Sequence, residues 1–333
     1  MGILSPMTNA RAVCAMASAA LLLALGGCGG PPPHSHEDTT PMTTTQTSKK
    51  DQVRALLGAI QSGESGPVAI INADKYIQHN LGAKDRLAGF GELLAQLPKG
   101  SARVTTARIF QDGDFVFAHT DYDFFGPKIG FDIFRFESGK IVEHWDNLQE
   151  KPTSPNPSGH TMTDGPTAAT DLEKTDANEA LVRAFVDDIL VNGRMDKLAG
   201  YYEGDKYVLH NPQIADGLSG LGAALEAMAE RGIAMKYDRI HRVLGEGSFV
   251  LVVSEGAFAG KPTAFYDLFR VADGKIAEHW DTIEAVPPRD QWKNGNGKFL
   301  RRTTPPRPLL PPPPSGSVRA LQGPSPPLLA TTS

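Results

Sequence analysis

Gly139-Lys140-Ile141-Val142-Glu143-His144-Trp145-Asp146 returns as Gly274-Lys275-Ile276-Ala277-Glu278-His279-Trp280-Asp281, changed at a single position. Working outward, Asp132-Ile133-Phe134-Arg135 answers to Asp267-Leu268-Phe269-Arg270, and Gly113-Asp114-Phe115-Val116 to Gly247-Ser248-Phe249-Val250. Further upstream, Gly89-Phe90-Gly91 pairs with Gly220-Leu221-Gly222, and Tyr76-Ile77-Gln78-His79-Asn80 with Tyr207-Val208-Leu209-His210-Asn211. The offset grows only from 131 to 135 residues, so insertions are confined to loops and element ends. A period this long means two whole domains, because solenoid units run to about 20–50 residues. A chain of 333 residues has room for both.

Each copy opens with helices. Leu181, Val182, Phe185, Val186, Ile189 and Leu190 recur at helical spacing and form one apolar stripe. Asp176 and Glu179 have the spacing of a capping pair at its start. A further helix follows each His-Asn pair, with Leu87, Phe90, Leu94 and Leu97 in the first copy and Leu218, Leu221, Leu225 and Met228 in the second. Strands come next, at 103–110, 115–122, 129–136 and 141–146, rich in β-branched and aromatic residues and separated by turns such as Asp112-Gly113 and Ser138-Gly139. Helices followed by a run of strands predict an α+β fold, an antiparallel sheet with helices on one face, in two tandem copies at 51–150 and 175–299. Residues 151–174, rich in Pro, Ser, Thr and Gly, read as a linker.

The ends differ in character. Arg11 precedes an uncharged, mostly apolar run, Ala12 to Leu25, too short to span a bilayer, which takes about 20 residues. It closes in Leu25-Gly26-Gly27-Cys28, which resembles the bacterial lipoprotein processing box. Residues 1–28 therefore read as a lipoprotein-type signal peptide, with Cys28 lipidated and 29–50 a disordered tether. The expectation is an exported protein anchored to a membrane, or a cytoplasmic one if translation starts at Met42. Residues 300–333, rich in proline and without an acidic side chain, read as a disordered tail. A net charge of −5 without clustered Lys and Arg argues against a nucleic-acid partner. Both cysteines, Cys14 and Cys28, lie near the N-terminus, so neither copy holds a disulfide, a thiolate metal site or a cysteine nucleophile.

The chemistry concentrates on the repeated octet. A strand has period two, so His144 and Asp146 share one face with Val142, while Ile141, Glu143 and Trp145 share the other. At ~3.4 Å per residue the imidazole and carboxylate lie about 7 Å apart, close enough to touch one small ligand. The carboxylate would act as base and the imidazole as hydrogen-bond donor. His279 and Asp281 repeat the pair. His79-Asn80 and His210-Asn211, with Tyr76 and Tyr207 upstream, admit two readings: a strand end with a satisfied histidine, or an imidazole aimed into the mouth of a pocket. Asp132 and Asp267 lie mid-strand among apolar residues, where an unpaired carboxylate is costly. Each is either paired with an arginine on a neighbouring strand or a second pocket carboxylate of raised pKa. His144, Asp146 and His79 also have the ligand types of a two-histidine, one-carboxylate iron site. Three residues of common type carry little weight, and no metal or cofactor is expected.

The run through Tyr207–Asn211 and Pro212, Ala215-Asp216-Gly217, Asp267–Arg270 and Gly274–Asp281 resembles SnoaL-like domains, of the nuclear-transport-factor-2-like and ketosteroid-isomerase-like group. The resemblance covers both copies. It implies two tandem cone-shaped α+β barrels, each with a deep apolar pocket. It also implies that relatives catalyse an intramolecular aldol ring closure in polyketide synthesis, without metal or organic cofactor. The acid/base there is an aspartate on a late strand, matched here by Asp146 and Asp281. Leu81-Gly82 replaces Pro212-Gln213, and His119 stands where the second copy has Val253, so the two pockets differ in shape or ligand. The expectation is a pocket protein for a small apolar or carbonyl-containing molecule, acting as a metal-free lyase, isomerase or cyclase if it is an enzyme. The alternative is a non-catalytic ligand-binding lipoprotein. An internal pseudo-dimer, with the copies packed sheet to sheet, is a third expectation.

Overall fold

In the computed structural model the described residues are 47–98 and 100–299. Cys28, the segment 1–46 and the tail 300–333 lie outside them. The first copy runs through helix α1 (Lys49–Ser62), a two-residue strand β1 (Ile77–Gln78), helix α2 (Arg86–Leu94), and strands β2 (Arg103–Asp112), β3 (Phe115–Asp123), β4 (Pro127–Glu137) and β5 (Lys140–Glu150). The second repeats the plan with α3 (Thr175–Phe185), which continues into a wider π turn at Val186–Val191, then α4 (Leu198–Tyr201), β6 (Val208–Leu209), α5 (Gly217–Glu230), β7 (Met235–Glu246), β8 (Phe249–Phe258), β9 (Lys261–Ala272) and β10 (Lys275–Ala285). Each sheet has five strands, ordered β1-β5-β4-β3-β2 and β6-β10-β9-β8-β7. These are two tandem α+β domains. Four strands of each sheet are antiparallel, as expected. The short β1 and β6 add a parallel edge, pairing Gln78 with His144 and Leu209 with His279. No helix among the described residues is long and apolar enough to cross a membrane.

Local chemistry accounts for the element ends. Ser48 caps α1 by accepting from the Asp51 N–H at 3.1 Å, and Gly63 ends the helix at φ 73°. The β4–β5 hairpin turns on Ser138 (φ 50°) and Gly139 (φ 75°), the two left-handed residues that a two-residue hairpin requires. At the start of α3, by contrast, Asp176 lies inside the first turn, and the residue before the helix, Lys174, makes no side-chain cap. The stripe predicted for this helix is present, with Val182, Phe185, Val186 and Ile189 buried against the sheet.

The repeated Gly-x-Gly of α2 and α5 has a steric cause at its first position only. A Cβ on Gly89 would stand 2.0 Å from the Lys84 carbonyl oxygen, and one on Gly220 2.2 Å from that of Ala215. Around Gly91 and Gly222 there is open space. Gly220→Ala should therefore lower stability by about 1–3 kcal/mol, the usual cost of overpacking. Gly222→Ala should raise it by roughly 0.5–1 kcal/mol through helix propensity. Urea midpoints that move in the same direction would contradict this account.

One apolar cluster lies under the helices of each copy, and a third joins the copies. In the third, Phe110, Phe117, Phe131 and Trp145 of one sheet pack with Phe249, Leu251, Tyr266 and Trp280 of the other. The contacts are reciprocal. The Arg108 guanidinium lies 4.2 Å over the Trp280 ring, and Arg242 lies 4.0 Å over Trp145. Leu148 N–H donates to Glu284 Oε2 at 3.0 Å, and Ile283 N–H to Gln149 Oε1 at 2.8 Å.

The segments that leave each sheet cross over. Asn156, within 151–174, donates to the carbonyls of Leu209 and Ile214 in the second copy. Asn294 donates to those of Asn80 and Ala83 in the first. Residues 286–299, read from sequence as the end of the second copy, thus cover the first.

Candidate active site

The alternation of β10 turns His279 and Asp281 to the helix side of the sheet, where they line a cavity of about 720 Å³. Leu221, Leu225 and Met228 of α5 supply an apolar wall, and Tyr202, Tyr207 and Tyr237 also line it. Asp281 is only 8% exposed. Asn211 Nδ2 donates to its Oδ2 at 2.8 Å, and Oδ1 has no partner among the described residues. Burial raises the pKa of this carboxyl, the charge on His279 pulls it back, and Asp267 adds to the rise.

A buried chain sets the imidazole. His279 Nε2 lies 3.1 Å from Asp267 Oδ1, and the Tyr237 hydroxyl donates to Oδ1 at 3.2 Å and Oδ2 at 3.3 Å. A carboxylate only accepts, so Nε2 carries the proton and Nδ1 is the nitrogen left for a ligand. Phe269 stacks on the ring at 4.5 Å. Asp267 is thus neither paired with an arginine nor part of the cavity wall. It holds the histidine. Tyr202 is another lining residue, its hydroxyl buried beside that of Tyr207. Burial pushes its pKa far up, so the phenol stays neutral.

The first copy assembles the same groups and then fills the space between them. Its cavity is about 60 Å³, still touched by Asn80, Asp132, His144 and Asp146. Tyr122 projects from β3 and donates to Asp132 Oδ2 at 2.6 Å, whereas Gly256 stands at that register in the second copy. Burial raises the Asp132 pKa, and His144 and Tyr122 oppose the rise. His144 reaches Asp132 at 3.1 Å through Nε2, but its Nδ1 meets Gln78 Oε1 at 3.0 Å, where the second copy has Leu209. Gln78 Nε2 also donates to Tyr76, which is buried away from the remnant cavity. Asp146 accepts from Asn80, and the Lys298 ammonium, delivered by the crossing segment, lies 3.7 Å from its Oδ1. Lys298 is buried, which disfavours its charge, yet Glu284 and Asp146 hold its pKa above the ordinary lysine value. The matched aspartates therefore differ: Asp146 faces a cation in a filled site, while Asp281 faces a cavity.

His79 and His210 are not at a pocket mouth. The parallel register places Gln78 and Leu209 beside the cavity-facing histidines, so the next residue points to the opposite face. His79 stacks on Trp145 at 4.7 Å and meets Glu143 at 2.9 Å; His210 stacks on Trp280 at 4.5 Å and meets Glu278 at 2.9 Å. The triad of His79, His144 and Asp146 is therefore not brought together. Tyr202, Tyr237, Gln78 and Lys298 escaped the sequence reading. Comparison of the copies would have exposed Tyr202, which stands opposite Ile71, and Gln78, opposite Leu209.

Residues 182–279 match the family model of the SnoaL-like domain. The second copy is therefore a SnoaL-like domain. Among solved structures, TsrD from Streptomyces laurentii is 17% identical, with a TM-score of 0.26 over 30% of this chain and 86% of its own. An M. tuberculosis LEH-like epoxide hydrolase is 24% identical, with a TM-score of 0.28 over 33% and 85%. An NTF-2 like protein of unknown function from Burkholderia xenovorans LB400 is 16% identical, with a TM-score of 0.29 over 36% and 95%. A search among curated proteins found no match.

Proposed function

We propose that the second copy is a cofactor-independent acid/base catalyst of the cyclase or isomerase type, acting on a small, mostly apolar carbonyl compound. The observation that carries this reading is the buried Asp281 carboxyl in the lining of an apolar cavity of about 720 Å³, with Oδ1 left without a hydrogen-bond partner among the described residues. A C–H beside a carbonyl is too weak an acid for a carboxylate of pKa about 3.9. Burial makes Asp281 a stronger base, the property this proton abstraction requires. Tyr202, once its hydroxyl turns from Tyr207 to the ligand, donates to the carbonyl oxygen where negative charge develops, and His279, held by Asp267, carries the proton onward through Nδ1.

The test is exchange of the remaining α-hydrogen of 2-alkyl β-keto esters in heavy water, followed by proton NMR. The protein should speed it by about 10²–10⁴-fold over buffer. Esters that bind, as shown by tryptophan fluorescence, yet exchange at the buffer rate would leave a ligand-binding protein instead. Tyr202→Phe should slow exchange by about 10²-fold, the scale of losing one donor to an oxyanion, with little change in affinity. A variant that loses affinity and keeps its rate would place Tyr202 in binding alone.

The reciprocal contacts of Arg108 with Trp280 and Arg242 with Trp145 support an internal pseudo-dimer. The Leu25-Gly26-Gly27-Cys28 motif supports a lipid anchor on an exported protein. Expressed in a bacterium with an alkyne fatty acid, the full chain should take up label and partition into detergent, and Cys28→Ser should do neither. An unlabelled parent chain would remove the anchor.

A further inference from the structure

We propose that the first crossing segment completes a binding site for one divalent transition-metal ion, such as Zn²⁺, held by His160, Asp164 and His210 outside the cavity. One ligand atom from each lies within 4.8 Å of the other two. Asp164 Oδ1 is 2.7 Å from His210 Nδ1, and Asp164 Oδ2 is 3.6 Å from His160 Nδ1. Two imidazoles and one carboxylate, with a position left for water, suit zinc, cobalt or nickel rather than magnesium or calcium.

The outer nitrogens of both rings are held by carboxylates. His160 Nε2 is held by Asp216 Oδ2 at 3.1 Å, and His210 Nε2 by Glu278 Oε1 at 2.9 Å. Each ring thus has a carboxylate behind it and its Nδ1 turned to the shared centre, the arrangement that orients metal-bound histidines and raises their basicity. Arg270 in turn fixes Glu278 at 2.7 Å.

The backbone here is tied down from the other side. Arg108 donates to the carbonyls of Thr163 and Asp164, at 3.1 and 2.7 Å, and Trp280 Nε1 to that of Asp164 at 3.0 Å. A fixed Asp164 lowers the ordering cost of binding. Three carboxylates against the two guanidiniums of Arg108 and Arg270 leave a net negative charge for a cation. The ion displaces the contact of His210 Nδ1 with the Thr161 carbonyl, 2.9 Å away. His160 is one-third exposed, which gives an entry path. The first copy has no counterpart, because its crossing segment presents the Gly297 carbonyl to His79 and has neither imidazole nor carboxylate between 294 and 299. The site stands whatever the chemistry of the cavity. Its consequence is a metal staple between the crossing segment and the second copy, stabilising the fold by mass action.

The experiment is titration of the untagged full chain, stripped with chelator, with Zn²⁺ by calorimetry, repeated with Co²⁺ by visible absorption. One ion per chain, four-coordinate cobalt bands and a raised melting temperature are expected. His160→Ala should lose the binding, and Asp216→Asn should weaken it by about 10–100-fold, as for other second-layer carboxylates. His160 is partly exposed, so its replacement spares the fold, checked by circular dichroism. No uptake by the parent chain, or equal affinity in folded His160→Ala, overturns the site.

Discussion

Asp281→Asn is expected to reduce exchange to the buffer rate, a loss of about 10²–10⁴-fold for a positioned base, while leaving ligand affinity intact. Asparagine keeps the shape and still accepts from Asn211 through its Oδ1, so the change removes basicity and little else. The same substitution should stabilise the protein at neutral pH, and the sign follows from linkage. Burial raises the Asp281 pKa above its unfolded value, so the folded state holds this proton more tightly. Ionising the group as pH rises from the ordinary carboxylate range through the raised value therefore costs stability. Asparagine removes that cost at neutral pH, and its advantage fades below the unfolded pKa. Exchange should likewise rise with pH as the carboxylate deprotonates. Asp146→Asn is expected to leave the rate unchanged, because Tyr122 and Gln78 have filled that cavity. NMR rates and thermal melts on both variants check these outcomes. An active Asp281→Asn protein, or a dependence on Asp146 instead, would defeat the assignment.

Period two along β5 and β10 separated His144, Asp146, His279 and Asp281 from Glu143, Trp145, Glu278 and Trp280, and both faces found the surroundings this implied. β1 and β6 have two residues each, too short to show a period. Only the parallel register with β5 and β10 tells which side His79 and His210 take. The partners of Asp132 and Asp267 were hidden for a different reason. The donor tyrosine comes from β3 in one copy and β7 in the other, so the repeat itself concealed it. Lys298 was out of reach because it lies in a segment that reads as the end of the second domain, while its partner Asp146 belongs to the first copy. Asp176 shows the weakness of capping motifs, since the helix begins two residues earlier than the pattern requires. The crossing of 151–174 and 286–299 left only a composition rich in turn-formers, which does not distinguish a loose linker from a strap.

Trp280→Ala is expected to cost about 3–5 kcal/mol, the range for deleting a buried aromatic side chain. The ring is fully buried in the cluster shared by the two sheets. It also carries the stacked His210, the Arg108 guanidinium above it and a hydrogen bond to the Asp164 carbonyl, so alanine removes support from three neighbours at once. The loss should appear as a shift of the whole urea transition, read by near-ultraviolet circular dichroism. Each sheet completes the other's core, and neither copy should survive alone once the contact fails. The proposed internal dimer demands that coupling. Were the copies independent domains on a string, the second would melt early and the first would keep the parent midpoint. A biphasic curve would therefore count against the internal dimer, whereas one displaced transition would mean that two repeats fold as a single cooperative body. In that case the filled first copy acts as the scaffold on which the open cavity of the second is held.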